Sequence, residues 1–392
     1  MMELFSDEAR RNPFPLYSAV RSVSPVLKAP PPFEMWLIFD YEGVKRAISD
    51  HTAFSSEVPA PENWFIFFDP PRHSKMRALI SRAFTPKSIS ALEPRIRDLS
   101  RKLLDNVLKE EVVDIATEYS VPLPMTVIAE MIGIPAADWQ RFRQWSDDIL
   151  KISYTMRGME SDEESAHAMS GFRRATEEMN EYLTHMIRER KSTARDDLLT
   201  RLVQAEVDGE RLSQAEILGF FQLLIVAGQE TTANLINNAL VCFMENPDQL
   251  ARVRSTPELL PSAIEEVLRY RSPIQWVMRT PRQEVEMHGQ TIRPGELILV
   301  MVGSANRDPK QFPDADRFDI TREPNPHVAF GHGIHACIGA ALARMEAKIA
   351  LTDLLARFKH FEPATADPWP PRKALHIHGP ASLPLRFERT SS

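Results

Sequence analysis

The sequence predicts a mainly α fold with a small β portion, and three observations carry that reading. Apolar residues recur at helical spacing from about residue 87 to residue 270. Three short apolar runs, at 35–39 (MWLIF), 285–287 (VEM) and 297–301 (LILVM), are of strand length, and the last two are bounded by the turn pairs His288-Gly289 and Pro294-Gly295. The 392 residues are 43% hydrophobic and 26% charged, which suits a large buried core.

Composition also excludes classes. A net charge of −7 gives no reason to expect nucleic acid. Two cysteines, Cys242 and Cys337, build no disulfide framework and fit a reducing cytoplasm. Residues 1–8 lack a basic, then apolar, targeting pattern, and no apolar run reaches membrane-spanning length, so no membrane anchor is expected. The proline-rich stretch at 29–32 is the one linker-like segment, and nothing in the chain requires more than a monomer.

In chain order, Asp69-Pro70-Pro71 precedes a helical segment in which His73 and Arg77, spaced i, i+4, share one face. Ser213-Gln214-Ala215-Glu216 reads as a capping box opening a long helix that runs to about Glu245. Inside that apolar helix lie Ala227, Gly228, Glu230 and Thr231. A helical glycine costs about 1 kcal/mol relative to alanine, and a buried carboxylate costs more. The segment is therefore expected to make room for a small ligand, with threonine opening the backbone ladder. Glu266 and Arg269 form an acid–base pair at i, i+3.

The most informative stretch is Phe330-Gly331-His332-Gly333-Ile334-His335-Ala336-Cys337-Ile338-Gly339. Its glycines allow a tight bend and close backbone approach to a flat ligand. Cys337 is expected where a helix begins, a position that favours thiolate. Zinc is an alternative on residue types alone, because His327, His332, His335 and Cys337 crowd the segment, but paired zinc spacings are missing.

The pattern F-G-x-G-x-H-x-C-x-G resembles the haem-binding loop of the cytochrome P450 family. A-G-x-E-T-T, E-x-x-R, Ser304-Ala305-Asn306-Arg307-Asp308-Pro309 and 312–318 (FPDADRF) extend that likeness from Asn12-Pro13 to Leu383-Pro384. The resemblance implies one P450 domain over residues 1–392, with haem b between the central long helix and the cysteine-loop helix. Cys337 would be the axial iron ligand, with Phe330, Gly331, Gly339, Ala227 and Gly228 also at the cofactor. His73, Arg77, Arg279 and His335 would hold the propionates, and guanidinium forks suit carboxylates. Glu230 and Thr231 would be the acid–alcohol pair that supplies protons for O–O cleavage. Glu266, Arg269 and Arg317 would form a buried structural triad.

The substrate pocket implied by matching segments comprises the loop from Pro59 to Phe68, with Trp64 and Phe65, then Leu223, Val226 and Ala227. Ile274, Trp276, Val277 and Ile377 complete it. Its apolar character suits a fatty acid, terpenoid or steroid-like molecule. The expected activity is insertion of one oxygen atom from O2, with a peroxide-driven or other haem-thiolate oxidation as the alternative. No flavin or nicotinamide fingerprint is present, so electrons from NAD(P)H are expected through a separate ferredoxin and ferredoxin reductase. Arg72, Lys75, Arg82, Arg344 and Lys348 are candidates for docking an acidic iron–sulfur protein.

Overall fold

The computed structural model describes residues 6–31, 33–58, 63–107, 109–151 and 162–389. The readings placed on residues 1–5, Pro32 and 59–62 of the expected pocket loop lie outside the described residues. Two compact units emerge, one from Met1–Val58, Arg95–Pro122 and Thr231–Ser392, the other from Pro59–Pro94 and Leu123–Glu230.

In the first unit, a five-stranded sheet runs in the order Val26–Lys28, Trp36–Ile38, Ile298–Val300, Val277–Pro281, Phe54–Ser55. Ile298–Val300 lies parallel to Trp36–Ile38 and antiparallel to Val277–Pro281. Both runs are buried at every position, which is why they read as continuous apolar stretches instead of alternating ones. Val26, Trp36, Ile38, Val44, Phe54, Ile298 and Phe312 share one core cluster. Val285–Met287 pairs with Gln290–Ile292 across His288 (φ 51°) and Gly289 (φ 74°). Both turn residues have positive φ, as a tight hairpin requires.

A three-stranded sheet of Phe358–Pro363, Pro384–Arg389 and Val112–Asp114 was not foreseen. Val112–Asp114 interrupts the helical stretch, and so does the small hairpin Glu206–Val207/Glu210–Arg211. The cysteine helix, Ala340–Arg357, ends where Arg254 donates to the carbonyls of Leu355 (2.9 Å) and Phe358 (2.7 Å), satisfying acceptors that a helix terminus leaves open.

In the second unit, Arg72–Ala83 packs against Leu198–Gln204, and Trp139–Leu150 against Asp162–Ser192. The central helix, Gln214–Glu245, spans the division between the units. Its capping box is formed as expected: Ser213 Oγ accepts from the Glu216 amide at 3.2 Å, and Glu216 Oε2 accepts from the Ser213 amide at 2.9 Å. Among the described residues, no helix is long and apolar enough to cross a membrane.

Candidate active site

The cysteine loop is built from backbone constraints. Gly331 (φ 71°) and Gly333 (φ 72°) both occupy the left-handed region that glycine favours. A Cβ on Gly333 would sit 3.0 Å from Ser49 Cα, so the second glycine is also required by a close backbone approach. The amide of Cys337 donates to the Phe330 carbonyl at 2.8 Å, and that of Ala336 to Gly333 at 3.1 Å. Upstream, the buried Asn306 of the SANRDP segment accepts from the Val328 amide at 2.8 Å and donates to Ser272 Oγ at 2.8 Å. The loop is thus anchored to a fully buried side chain. Cys337 itself is exposed, and a Cβ on Gly339 would lie 3.9 Å from its sulfur. The helix starts at Ala340 with Gly339 as its N-cap, so Cys337 precedes its first turn by three residues instead of opening it.

Two of the histidines of this segment have other partners. His335 Nε2 lies 3.0 Å from Ser56 Oγ, and His327 Nε2 lies 3.1 Å from Glu265 Oε2. No cluster of three or more metal-ligating side chains is found among the described residues, which leaves the zinc alternative without a ligand set. The second cysteine differs sharply: Cys242 is fully buried, and burial pushes its thiol up to about 12.

Arg279 lies on Val277–Pro281, opposite Ile298 in the sheet, and is 8% exposed; its Nη1 donates to the Met278 carbonyl at 2.7 Å. In the other unit, His73 is buried on Arg72–Ala83 with its ring stacked on Phe65 at 6.0 Å, and Arg77 follows one turn later, half-buried.

On the central helix, residues 221–223, 225, 229–230 and 232–243 are buried, including Leu223 and Glu230. Leu224, Ala227, Gly228 and Thr231 are exposed or half-buried, as is Val226. Spacing i, i+3, i+4, i+7 places the first four along one face. Between its ends the helix therefore presents a stripe of Leu224, Ala227 and Gly228 that finishes at the Thr231 hydroxyl, with Val226 on another face. The helix is continuous over Gln214–Glu245, through the glycine and the threonines. Gly228 packs closely against a neighbouring side chain. A Cβ there would meet Ile128 Cδ1 at 2.7 Å, so the glycine makes room for a neighbouring side chain.

Trp64 and Phe65 are buried. Trp64 Nε1 donates to Gln222 Oε1 at 3.0 Å, and Gln222 Nε2 donates to Asn180 Oδ1 at 2.9 Å. Gln222 had not been anticipated as the polar contact of that tryptophan. In the first unit, Ile274 bridges Ile377, Val277 packs partly buried on the sheet core, and the rings of Trp276 and His376 are 5.5 Å apart. Burial lowers the His376 imidazole to about 4, which keeps it neutral at pH 7.

The acid–arginine pair is fully buried, with Glu266 receiving Arg269 Nε and Nη2 at 2.8 Å each. Arg269 spends its remaining donors on the carbonyls of Asn306, Ala315 and Arg317. Arg317 contributes only this main-chain oxygen; its side chain is exposed, which corrects the expected triad. The second cation is Arg322, whose Nε reaches Glu266 Oε1 at 3.2 Å. Phe312, Ala315, Phe318 and Ile320 point into the core, which turns residue 317 outward, and the chain then returns residue 322 to the carboxylate.

The residues of the cysteine loop fit a haem: one exposed sulfur in a loop closed by its own amides and flanked by glycines. The comparisons agree. The Cytochrome P450 family profile matches residues 26–384. "Putative cytochrome P450 YjiB" of Bacillus subtilis is 39% identical over 362 residues, covering 91% of this chain and 90% of its own length. "Vitamin D(3) 25-hydroxylase" of Pseudonocardia autotrophica is 37% identical over 370 residues, covering 90% and 88%. The crystal structure of CYP109E1 from Bacillus megaterium in complex with testosterone superposes with a TM-score of 0.88 at 38% identity, covering 96% of this chain and 99% of that one. The fold and this loop define a haem-thiolate oxidoreductase. The chain belongs to the cytochrome P450 family and is similar to its bacterial monooxygenases.

Proposed function

We propose that this P450 monooxygenase inserts one oxygen atom from O2 into a lipophilic, steroid-like small molecule. The observation that carries the reading is the exposed Cys337 sulfur in a self-closed glycine loop. When bound, a thiolate-ligated haem supplies the activation of dioxygen and the oxidising power for C–H attack. The chain's own residues do the rest. Cys337 would hold the iron, His73, Arg77, Arg279 and His335 would serve the propionates, and Phe330, Gly331, Gly339, Ala227 and Gly228 are the further residues assigned to the group. Glu230, buried beside the half-buried Thr231, holds and passes the proton through the hydroxyl. Leu224 and Ala227 of that stripe would orient an apolar substrate by contact, with Val226, Trp64, Phe65, Leu223, Ile274, Trp276, Val277 and Ile377 assigned to the same pocket.

The steroid-like class is supported by relatives named for vitamin D3 hydroxylation and solved with testosterone. Residues 1–392 act as one P450 domain in the cytoplasm, as a monomer, with electrons from NAD(P)H delivered by a separate ferredoxin and ferredoxin reductase. Of the cations considered for docking, Lys75 pairs with Glu210 at 2.7 Å, and Arg344 is held by Glu265, while Arg82 and Lys348 are exposed.

The test is absorption of the reduced protein under carbon monoxide, followed by titration with testosterone and with a long-chain fatty acid. A thiolate-type red-shifted band and a spin-state change with the steroid are expected. A histidine-type band would overturn the ligand, and a response to the fatty acid alone would overturn the substrate class. Turnover with peroxide but not with NAD(P)H and carriers would favour the peroxide-driven alternative.

A further inference from the structure

Glu265, the residue before the buried acid–arginine pair, is bound more tightly than its position on the helix Leu260–Tyr270 requires. Its Oε1 accepts from Arg344 Nε at 2.7 Å and its Oε2 from Arg344 Nη2 at 2.8 Å, the two-pronged fork that pairs best with a carboxylate. The same Oε2 meets His327 Nε2 at 3.1 Å. The Ala329 amide donates to His327 Nδ1 at 3.3 Å, so the proton of the ring sits on Nε2 and points at Glu265. Three segments are thereby fixed to one carboxylate: the acid–arginine helix, the extended stretch before the cysteine loop and the cysteine helix.

What these partners hold is the face of Phe330. The Arg344 guanidinium lies 4.5 Å over its ring centroid, and the His327 ring is 6.4 Å away, tilted. Phe330 in turn carries the carbonyl that receives the Cys337 amide. Burial disfavours ionisation of Glu265, but the hydrogen bonds and charges of Arg344 and His327 outweigh it and hold the carboxyl at about 2. The Arg344 charge is favoured first by the Glu265 hydrogen bond, and it lies over the ring of the residue whose carbonyl closes the Cys337 loop. A cation fixed against that loop favours negative charge on the sulfur it carries.

We propose that Glu265 is a positioning residue for the thiolate: it fixes the Arg344 guanidinium over Phe330 and offsets part of its charge, and so sets how much electron density Cys337 gives the haem iron. Hydrogen bonding and charge behind a ligand are general levers on a metal's potential. The inference rests on the haem-thiolate reading above and adds to it a pair whose two charges act in opposite directions.

The experiment is spectroelectrochemical titration of the haem-loaded protein, with the carbon monoxide band recorded for each variant. Glu265→Gln leaves the guanidinium unopposed and should raise the midpoint potential, increasing the ferrous-to-ferric ratio at a fixed potential about threefold or more. Arg344→Gln should shift that ratio the other way by a similar factor, and the double variant should return close to the parent. Arg344→Lys restores charge without the fork and should recover most of the Arg344→Gln shift. If both single variants keep the parent midpoint, or both move it in the same direction, while the thiolate band is retained, the proposal is overturned and the contact is structural. If Glu265→Gln takes up no haem, the lowered midpoint of Arg344→Gln and its recovery in Arg344→Lys decide the matter, and a parent midpoint in Arg344→Gln overturns the proposal. A parent band at the histidine position would instead sink the ligand assignment, an outcome separate from the first.

Discussion

The main-chain amide of Cys337 donates to the carbonyl of Phe330 at 2.8 Å, closing the eight-residue loop without help from either side chain. Cys337→Ser should therefore fold normally, with an unfolding midpoint within about 0.5 kcal/mol of the parent. Its reduced carbon monoxide complex should lose the thiolate band. Retention of that band in the serine variant would rule out Cys337 as the ligand.

Glu266 gathers Arg269, Arg322, the Asp319 amide and Asn325 in the interior. Glu266→Ala would leave two cations facing a buried site with no counter-charge, at a cost of about 3–5 kcal/mol. Arg317→Ala should cost less than about 0.5 kcal/mol, because only its backbone takes part. Urea unfolding of the two variants side by side measures the difference; equal losses would restore Arg317 to the ion cluster.

Gly228→Ala should gain about 1 kcal/mol of helix propensity and lose it to the clash with Ile128 Cδ1 at 2.7 Å. Ile128→Val removes that methyl. The double variant should therefore be more stable than the sum of the single effects, and a purely additive cycle would mean the glycine faces open space instead.

Thr231→Ala should keep haem and substrate binding but spend most electrons on hydrogen peroxide in place of product. Glu230→Gln should slow turnover about a hundredfold by withdrawing the buried proton source. Product formed per NAD(P)H consumed is the readout, and unchanged coupling in Thr231→Ala would remove that residue from the proton route.

Glu346, on the cysteine helix, is fully buried, and burial raises its carboxyl to about 8. The folded chain thus keeps a proton that the unfolded chain releases near the ordinary carboxylate value. Its contribution is complete below that ordinary value and declines as pH rises toward 8. Glu346→Gln should flatten the fall in stability between pH 5 and pH 8; an unchanged slope would mean that the acid is ionised in the folded protein.

Legibility followed locality. The capping box of Ser213 and Glu216 and the hairpin turn at His288-Gly289 each depend on residues three or fewer apart, and both form as the pattern indicates. The cysteine motif was equally local. Val112–Asp114 was missed because its partner, Pro384–Arg389, lies far away in sequence and each strand is short. Arg322 was missed because E-x-x-R fixes only the helical half of the ion cluster, while a loop delivers the other cation. Glu265 offered a faint signal, an acid directly before another acid at the end of an apolar helical face. Nothing in its neighbours announced Arg344.

The contrast between the two cysteines has a practical consequence. Cys242 is sealed and held as a thiol by burial, while the sulfur of Cys337 is open to reagents unless iron claims it. A maleimide or similar probe should therefore label metal-free chains once and loaded chains not at all. The protein carries its own counter for cofactor content, readable by mass spectrometry on any preparation without reference to colour.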